Sequence, residues 1–197
     1  MKINIRILLI ALLIAGVMGL FVFYPFSCTD LHMKLYFHSD SAQTECTAYY
    51  TTAENPVFQD SQRITAVVKD GYADLLFPKE LCGRLTGLRL DFSQTETLIA
   101  IDRMELCSAG FVQKSLDAPS FLTENTVLST NDISVLQAVM NTVYVGTSGS
   151  DPHLYFQPDI VALCNESYSH YTGTKLAICL FLLLTVLLTR KQLFTAD

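Results

Sequence analysis

The stretch GLRLDFSQTETLIAIDRMEL, residues 87–106, decides the fold. Leu88, Leu90 and Phe92 alternate with Arg89 and Asp91, so an extended chain turns an apolar row one way and a charged row the other. After the polar SQTE, Ile99 and Ile101 resume the alternation, while Met104 and Leu106 fall out of phase with them. One extra residue near Asp102–Arg103 restores the phase, which predicts a β-bulge there. Two half-buried strands joined by a short loop read as an antiparallel pair. That pairing sets Asp102, Arg103 and Glu105 beside Arg89 and Asp91 as a cross-strand ion-pair ladder on the wet face.

The same two-residue period extends outward. LHMKLYFH (31–38) sets Leu31, Met33, Leu35 and Phe37 on one face and His32, Lys34, Tyr36 and His38 on the other. TECTAYYTT (44–52) is rich in strand-forming Thr and Tyr. QRITAVVK (62–69) and YADLLF (72–77) flank Asp70-Gly71, a hairpin signal. Further strands are expected at 85–92, 97–106, 108–116, 142–147 and 153–157. In NDISVLQAVMN (131–141), Ile133, Leu136, Val139 and Met140 stand at helical spacing behind an Asn131 or Asp132 cap, which predicts a helix. Strands at this density with short turns indicate a mainly β chain built as an antiparallel β-sandwich.

Both ends are oily. Residues 7–26 carry no charge, and twenty helical residues reach about 30 Å, the depth of a bilayer core. A second uncharged run ends at residue 189, and Lys175 and the threonines before it extend it outward, giving a span over 172–189. Lys2 and Arg6 precede the first run and Arg190 and Lys191 follow the second, so both termini (1–6 and 190–197) read as cytoplasmic. The expected protein is a two-pass plasma-membrane chain with residues 27–171 outside, periplasmic or extracellular. No small-x-small cleavage site follows the first run, which reads as an uncleaved signal anchor.

The middle segment holds eight basic and eighteen acidic residues, a net charge of −10. That balance excludes nucleic acid and anionic headgroups as partners. Cys46, Cys82, Cys107 and Cys164 lie in it; an oxidising exterior permits bridges among them, with three possible pairings, and buried free thiols are the alternative. No C-x-x-C, P-loop, G-x-S-x-G or H-E-x-x-H is present. His32 and His38 lie about 20 Å apart along a strand, and His153 and His170 stand alone, so no metal or cofactor is expected. Asn165-Glu166-Ser167 is a glycosylation sequon.

GRLTGLRLDFSQTETLIAIDRMEL resembles a segment of the carbohydrate-binding-module-like β-sandwich domains found in extracytoplasmic parts of bacterial membrane proteins tied to cell-surface polysaccharide biosynthesis. Leu88-Arg89-Leu90-Asp91 match the first strand of that pattern, and Ile99, Ile101, Met104 and Leu106 match the second. SGSDPHLYF (148–156) is similar to its closing strand. Phe92 stands where the family pattern has Pro, and only one apolar run follows the middle segment, so the multi-span catalytic body is missing from this chain. The resemblance implies a jelly-roll-like ectodomain that binds or presents glycan or a glycan precursor, without catalysis. The alternative is a non-catalytic interaction subunit of a polytopic membrane glycosyltransferase.

Sugar recognition needs flat aromatic faces and planar polar groups. Tyr36, Tyr49, Tyr50, Phe58, Tyr72 and Tyr155 are the candidate aromatics, and there is no Trp. Tyr49 and Tyr50 are adjacent, so only one of them faces the core. The expected binding set is Tyr36, His38, Tyr49, Tyr50, Arg89 and Asp91. A carboxylate pair such as Asp91 and Glu105 gives a hydrolase only in a cleft, which ranks that reading last.

Overall fold

The computed structural model describes Ile14, Gly16, Gly19 and residues 28–38, 45–92, 96–123 and 125–168. Ile14, Gly16 and Gly19 are helical. The two expected spans otherwise lie outside the described residues, among which no helix is long and apolar enough to cross a membrane. Cys28–Ser169 is one compact unit.

That unit contains eleven strands among its described residues: β1 Leu31–Phe37, β2 Glu45–Thr52, β3 Arg63–Val67, β4 Tyr72–Phe77, β5 Leu85–Phe92, β6 Leu98–Ser108, β7 Phe111–Asp117, β8 Val127–Asn131, β9 Ile133–Val139, β10 Thr142–Thr147 and β11 His153–Phe156. Two helices, α1 Ala118–Phe121 and α2 Pro158–Ser167, each begin with Pro at or next to their first residue, where a missing N–H costs nothing. One antiparallel sheet runs β4–β1–β6–β10–β9, with β7 also on β6; the other runs β3–β2–β5–β11–β8. The inward rows of both sheets, among them Met33, Leu35, Leu75, Ile99, Ile101, Met104, Leu88, Leu90 and Leu154, form one buried cluster. Two sheets sharing one apolar core make a β-sandwich.

Alternation set the faces correctly. β1 buries every second residue from Leu31 to Phe37. The bulge sits where the phase break required it: Tyr36 pairs with Arg103 but Phe37 with Ile101, so Asp102 is the extra residue. Pairing is another matter. β5 and β6 are not neighbours; β5 lies between β2 and β11, and β6 pairs with β1, β7 and β10. The two strands belong to opposite sheets, so Arg89 and Asp91 are on the outside of one sheet, and Asp102, Arg103 and Glu105 on the outside of the other. The expected ladder between them does not exist. Asp70 and Gly71 do take the positive φ of a tight turn, 54° and 81°, but β3 and β4 then diverge into different sheets after the single bridge Lys69–Tyr72.

The expected helix over 131–141 is the last residue of β8, the strand β9 and a turn. β8 ends at Asn131, Asp132 turns the corner with φ 51°, and β9 pairs with β10 through a turn at Met140–Asn141. Between Gly146 and Thr147 the partner register jumps from Val135 to Ile133, leaving Ser134 extra. This bulge lets Ile133 and Leu136 both pack on the core although they are three apart, which imitates helical spacing.

Of the two cysteine readings, bridging among the four is corrected, and the alternative of buried free thiols holds for three of them. Cys82 bridges to Cys28, at a Cα separation of 6.3 Å. Cys46, Cys107 and Cys164 are free and buried. The amide of Asn165 bonds both backbone groups of Leu85, at 3.2 and 2.9 Å, so α2 closes the end of β5 with the side chain that the sequon offers for glycosylation.

Candidate functional site

Register places two cross-strand rows on the outer face of the β3–β2–β5–β11–β8 sheet. Thr65, Thr47, Asp91, His153 and Asn131 form one row, and Arg63, Tyr49, Arg89, Tyr155 and Ser129 the next. Every residue of these rows is polar or aromatic, and the row between them, with Ala48, Leu90 and Leu154, faces the core.

Arg89 is the centre. Its Nε donates to Asp91 Oδ1 at 2.6 Å, and its Nη2 donates to the other oxygen of the same carboxylate. Both side chains are only 16% exposed. The hydrogen bonds to Asp91 push the guanidinium pKa further above its already high range, against the lowering effect of burial. The guanidinium also lies 4.7 Å from the Tyr49 ring centre and 5.8 Å from that of Tyr155, so a planar cation is held between two phenol rings. Phe58, from the β2–β3 loop, packs on Tyr155 with centroids 5.4 Å apart. It can do so because residue 87 is glycine: a Cβ there would stand 3.3 Å from Phe58 Cζ and 2.6 Å from Thr51 Oγ1.

His153 is buried against the edge of Tyr155, ring centres 4.9 Å apart. Its Nδ1 donates to the backbone carbonyl of Asp151 at 2.8 Å, which assigns the second nitrogen, Nε2, as the unprotonated one when the ring is neutral. Asp91, Asp151 and His153 offer ligand atoms within 4.8 Å of one another. The guanidinium of Arg89 already rests on both carboxylates, so a divalent ion here would meet a fixed positive charge.

The expected site residues therefore divide. Tyr49, Arg89 and Asp91 come together on this face. Tyr50 turns inward against Phe77. Tyr36 and His38 belong to the other sheet. There Tyr36 donates to Glu105 at 2.9 Å under the Arg103 guanidinium, 3.9 Å above its ring, and His38 approaches Asp102 at 3.3 Å. Burial and the Glu105 contact raise the Tyr36 phenol pKa. That second face is a row of ion pairs with substantially exposed members, His32–Asp74 and Arg103–Glu105, of small energetic weight. Tyr155 and Phe58 were candidate aromatics, but nothing local singled them out; His153 and Asp151 stood isolated in the sequence. The one available signal was SDPHLY, in which His153 and Tyr155 share a strand face.

No protein-family model matches the chain, and no curated protein or solved structure gives a significant match to it.

Proposed function

We propose that this chain is a membrane-anchored, extracytoplasmic sandwich of jelly-roll-like form. Its β3–β2–β5–β11–β8 face binds a glycan or glycan precursor during assembly of cell-envelope polysaccharide. The single observation that carries the reading is the row Tyr49–Arg89–Tyr155 with Phe58 beside it and Asp91 beneath. Phenol rings supply surfaces for sugar C–H faces, and a guanidinium held by a carboxylate supplies fixed donors for hydroxyls. Three further points support it. The Leu88-Arg89-Leu90-Asp91 motif on which the family resemblance rests supplies the ion pair of this face. Strands that cross repeatedly between the sheets, as β1 to β2 and β5 to β6 do, suit a jelly-roll. Uncharged runs at both ends of the sequence suit a tethered module.

The test uses the full chain in lipid nanodiscs against a panel of immobilised polysaccharides. Binding to some member, lost in Tyr49→Ala and Tyr155→Ala variants that melt like the parent, supports the reading. Binding that survives both substitutions refutes this location. External protease on spheroplasts checks the topology, which requires cleavage within the middle segment.

One observation favours the second reading, a non-catalytic subunit of a polytopic glycosyltransferase. The edge strands β8 and β9 carry no charged residue, and this side of the sandwich exposes Leu128, Val135, Val139 and Met140. Sheet edges without charges are suited to partners. A silent glycan panel together with stable co-purification of such an enzyme selects this reading over the first.

A further inference from the structure

We infer that the glycan on this face carries free, protonated amino groups rather than N-acetyl or acid groups; the inference rests on the glycan-binding reading above. The reason is a charge left over within a rigid frame. Arg63 is matched by Asp60 at 3.3 Å, and Arg89 by Asp91. Asp151 is a second carboxylate on Arg89, its Oδ1 3.5 Å from Nη2, so Asp91, Asp151 and Arg89 together sum to −1. Asp132 adds a further negative charge behind the loop.

Asp151 does not occupy this place by chance of a loose loop. Its backbone carbonyl accepts from His153 Nδ1 at 2.8 Å and from Asn131 Nδ2 at 2.9 Å, and its N–H donates to Asp132 Oδ2 at 3.0 Å. Gly149 makes room for that last contact, since a Cβ there would fall 2.1 Å from the Asp132 carboxyl carbon. With its backbone tied on both sides, Asp151 presents a 59% exposed carboxylate beside Arg89, Tyr155 and buried His153.

A monovalent cation balances the Asp91–Asp151–Arg89 trio, a divalent metal is repelled more strongly by the fixed Arg89 charge, and a uronate or phosphate meets a negative field. A sugar ammonium is monovalent, offers three N–H donors, and rides on a ring that the neighbouring aromatics can stack. The carboxylate of Asp151 is its acceptor, with Asp91 behind it.

The deciding experiment titrates the full chain in uncharged nanodiscs with glucosamine oligomers of one length, fully deacetylated or fully N-acetylated, at a pH where the amines are protonated. The deacetylated oligomer binds at least about tenfold tighter. Asp151→Asn removes that preference without moving the melting temperature, whereas Asp74→Asn, the same charge change on the opposite sheet, leaves it intact. Equal or tighter binding of the N-acetylated oligomer overturns the inference while leaving the glycan site standing. A preference untouched by Asp151→Asn, or removed equally by Asp74→Asn, overturns it as bulk attraction of a polycation to an acidic protein. Failure of both oligomers, and of the wider polysaccharide panel, removes the glycan site itself.

Discussion

Arg89→Ala is the sharpest test of how the outer face is held together. The substitution removes two charge-assisted hydrogen bonds to Asp91 and the stacking of a cation against Tyr49 and Tyr155. It leaves Asp91, whose side chain is 16% exposed, between Thr47 and His153 with no cation on it. Deleting one partner of a fully buried pair costs about 3–5 kcal/mol. Asp91 keeps some water, which brings the expected loss to about 3 kcal/mol, the lost stacking included. For a unit of this size that is a fall in melting temperature of roughly 12 °C, at about 4 °C per kcal/mol. Arg89→Lys keeps the charge but not the two-pronged geometry and loses about 1 kcal/mol. Arg89→Met combined with Asp91→Leu removes both charges, and its cost falls short of the sum of the two single changes by about 2 kcal/mol. The assay is thermal unfolding of the full chain in one fixed detergent, followed by the far-ultraviolet strand signal. If Arg89→Ala melts with the wild type, or if the double variant is simply additive, the pair is not a structural unit and the proposed site loses its rigid centre.

Three other outcomes are expected. Gly87→Ala drives a Cβ to within 2.6 Å of Thr51 Oγ1, costs about 1–3 kcal/mol, and is partly relieved by Thr51→Ala in the same melts. Burial pushes the Cys164 thiol up to about 12 and the Cys46 thiol higher still, so peptide-resolved alkylation modifies neither until denaturant is added. The sign of the linkage follows: both folded values lie above the unfolded one, so stability is lost as pH rises past about 8.5, and Cys164→Ala flattens that decline. Met140, 94% exposed with φ 53°, sits in a turn that glycine fits better; Met140→Gly therefore raises stability by about 0.5–1 kcal/mol, whereas in a helix the same change would lower it.

Two segments show how far local pattern reaches. In β6, Ile101 and Met104 are three apart and both buried, and an extra residue, Asp102, explains it. In β9, Ile133 and Leu136 are three apart for the same reason, with Ser134 as the extra residue. The first was legible because Ile99 and Ile101 set a strand period before the break. The second was not, since the bulge comes at the start of β9 and leaves no period to interrupt. The site shows the same limit. Arg89 and Asp91 could be named from their outward positions and Tyr49 as one of an adjacent pair, while Asp151, His153 and Tyr155 could not be joined to them, because Arg89 and Asp91 lie more than fifty residues away in the chain.

Which side of each strand is wet is a property of neighbours two apart, and the amino-acid order alone determined it for β1, β5 and most of β6, while in β2 it left Tyr49 and Tyr50 undivided. The turn at Asp70-Gly71 was equally local. Which strands lie side by side depends on contacts between distant segments, and many pairings bury the same apolar rows equally well. Only the tertiary structure set β5 between β2 and β11 rather than beside β6, moved Arg103 and Glu105 to the far sheet, joined Cys82 to Cys28, and gathered Asp151 and His153 around Arg89. Burial of an apolar face is indifferent to the identity of the neighbouring strand, whereas a binding surface consists of that identity.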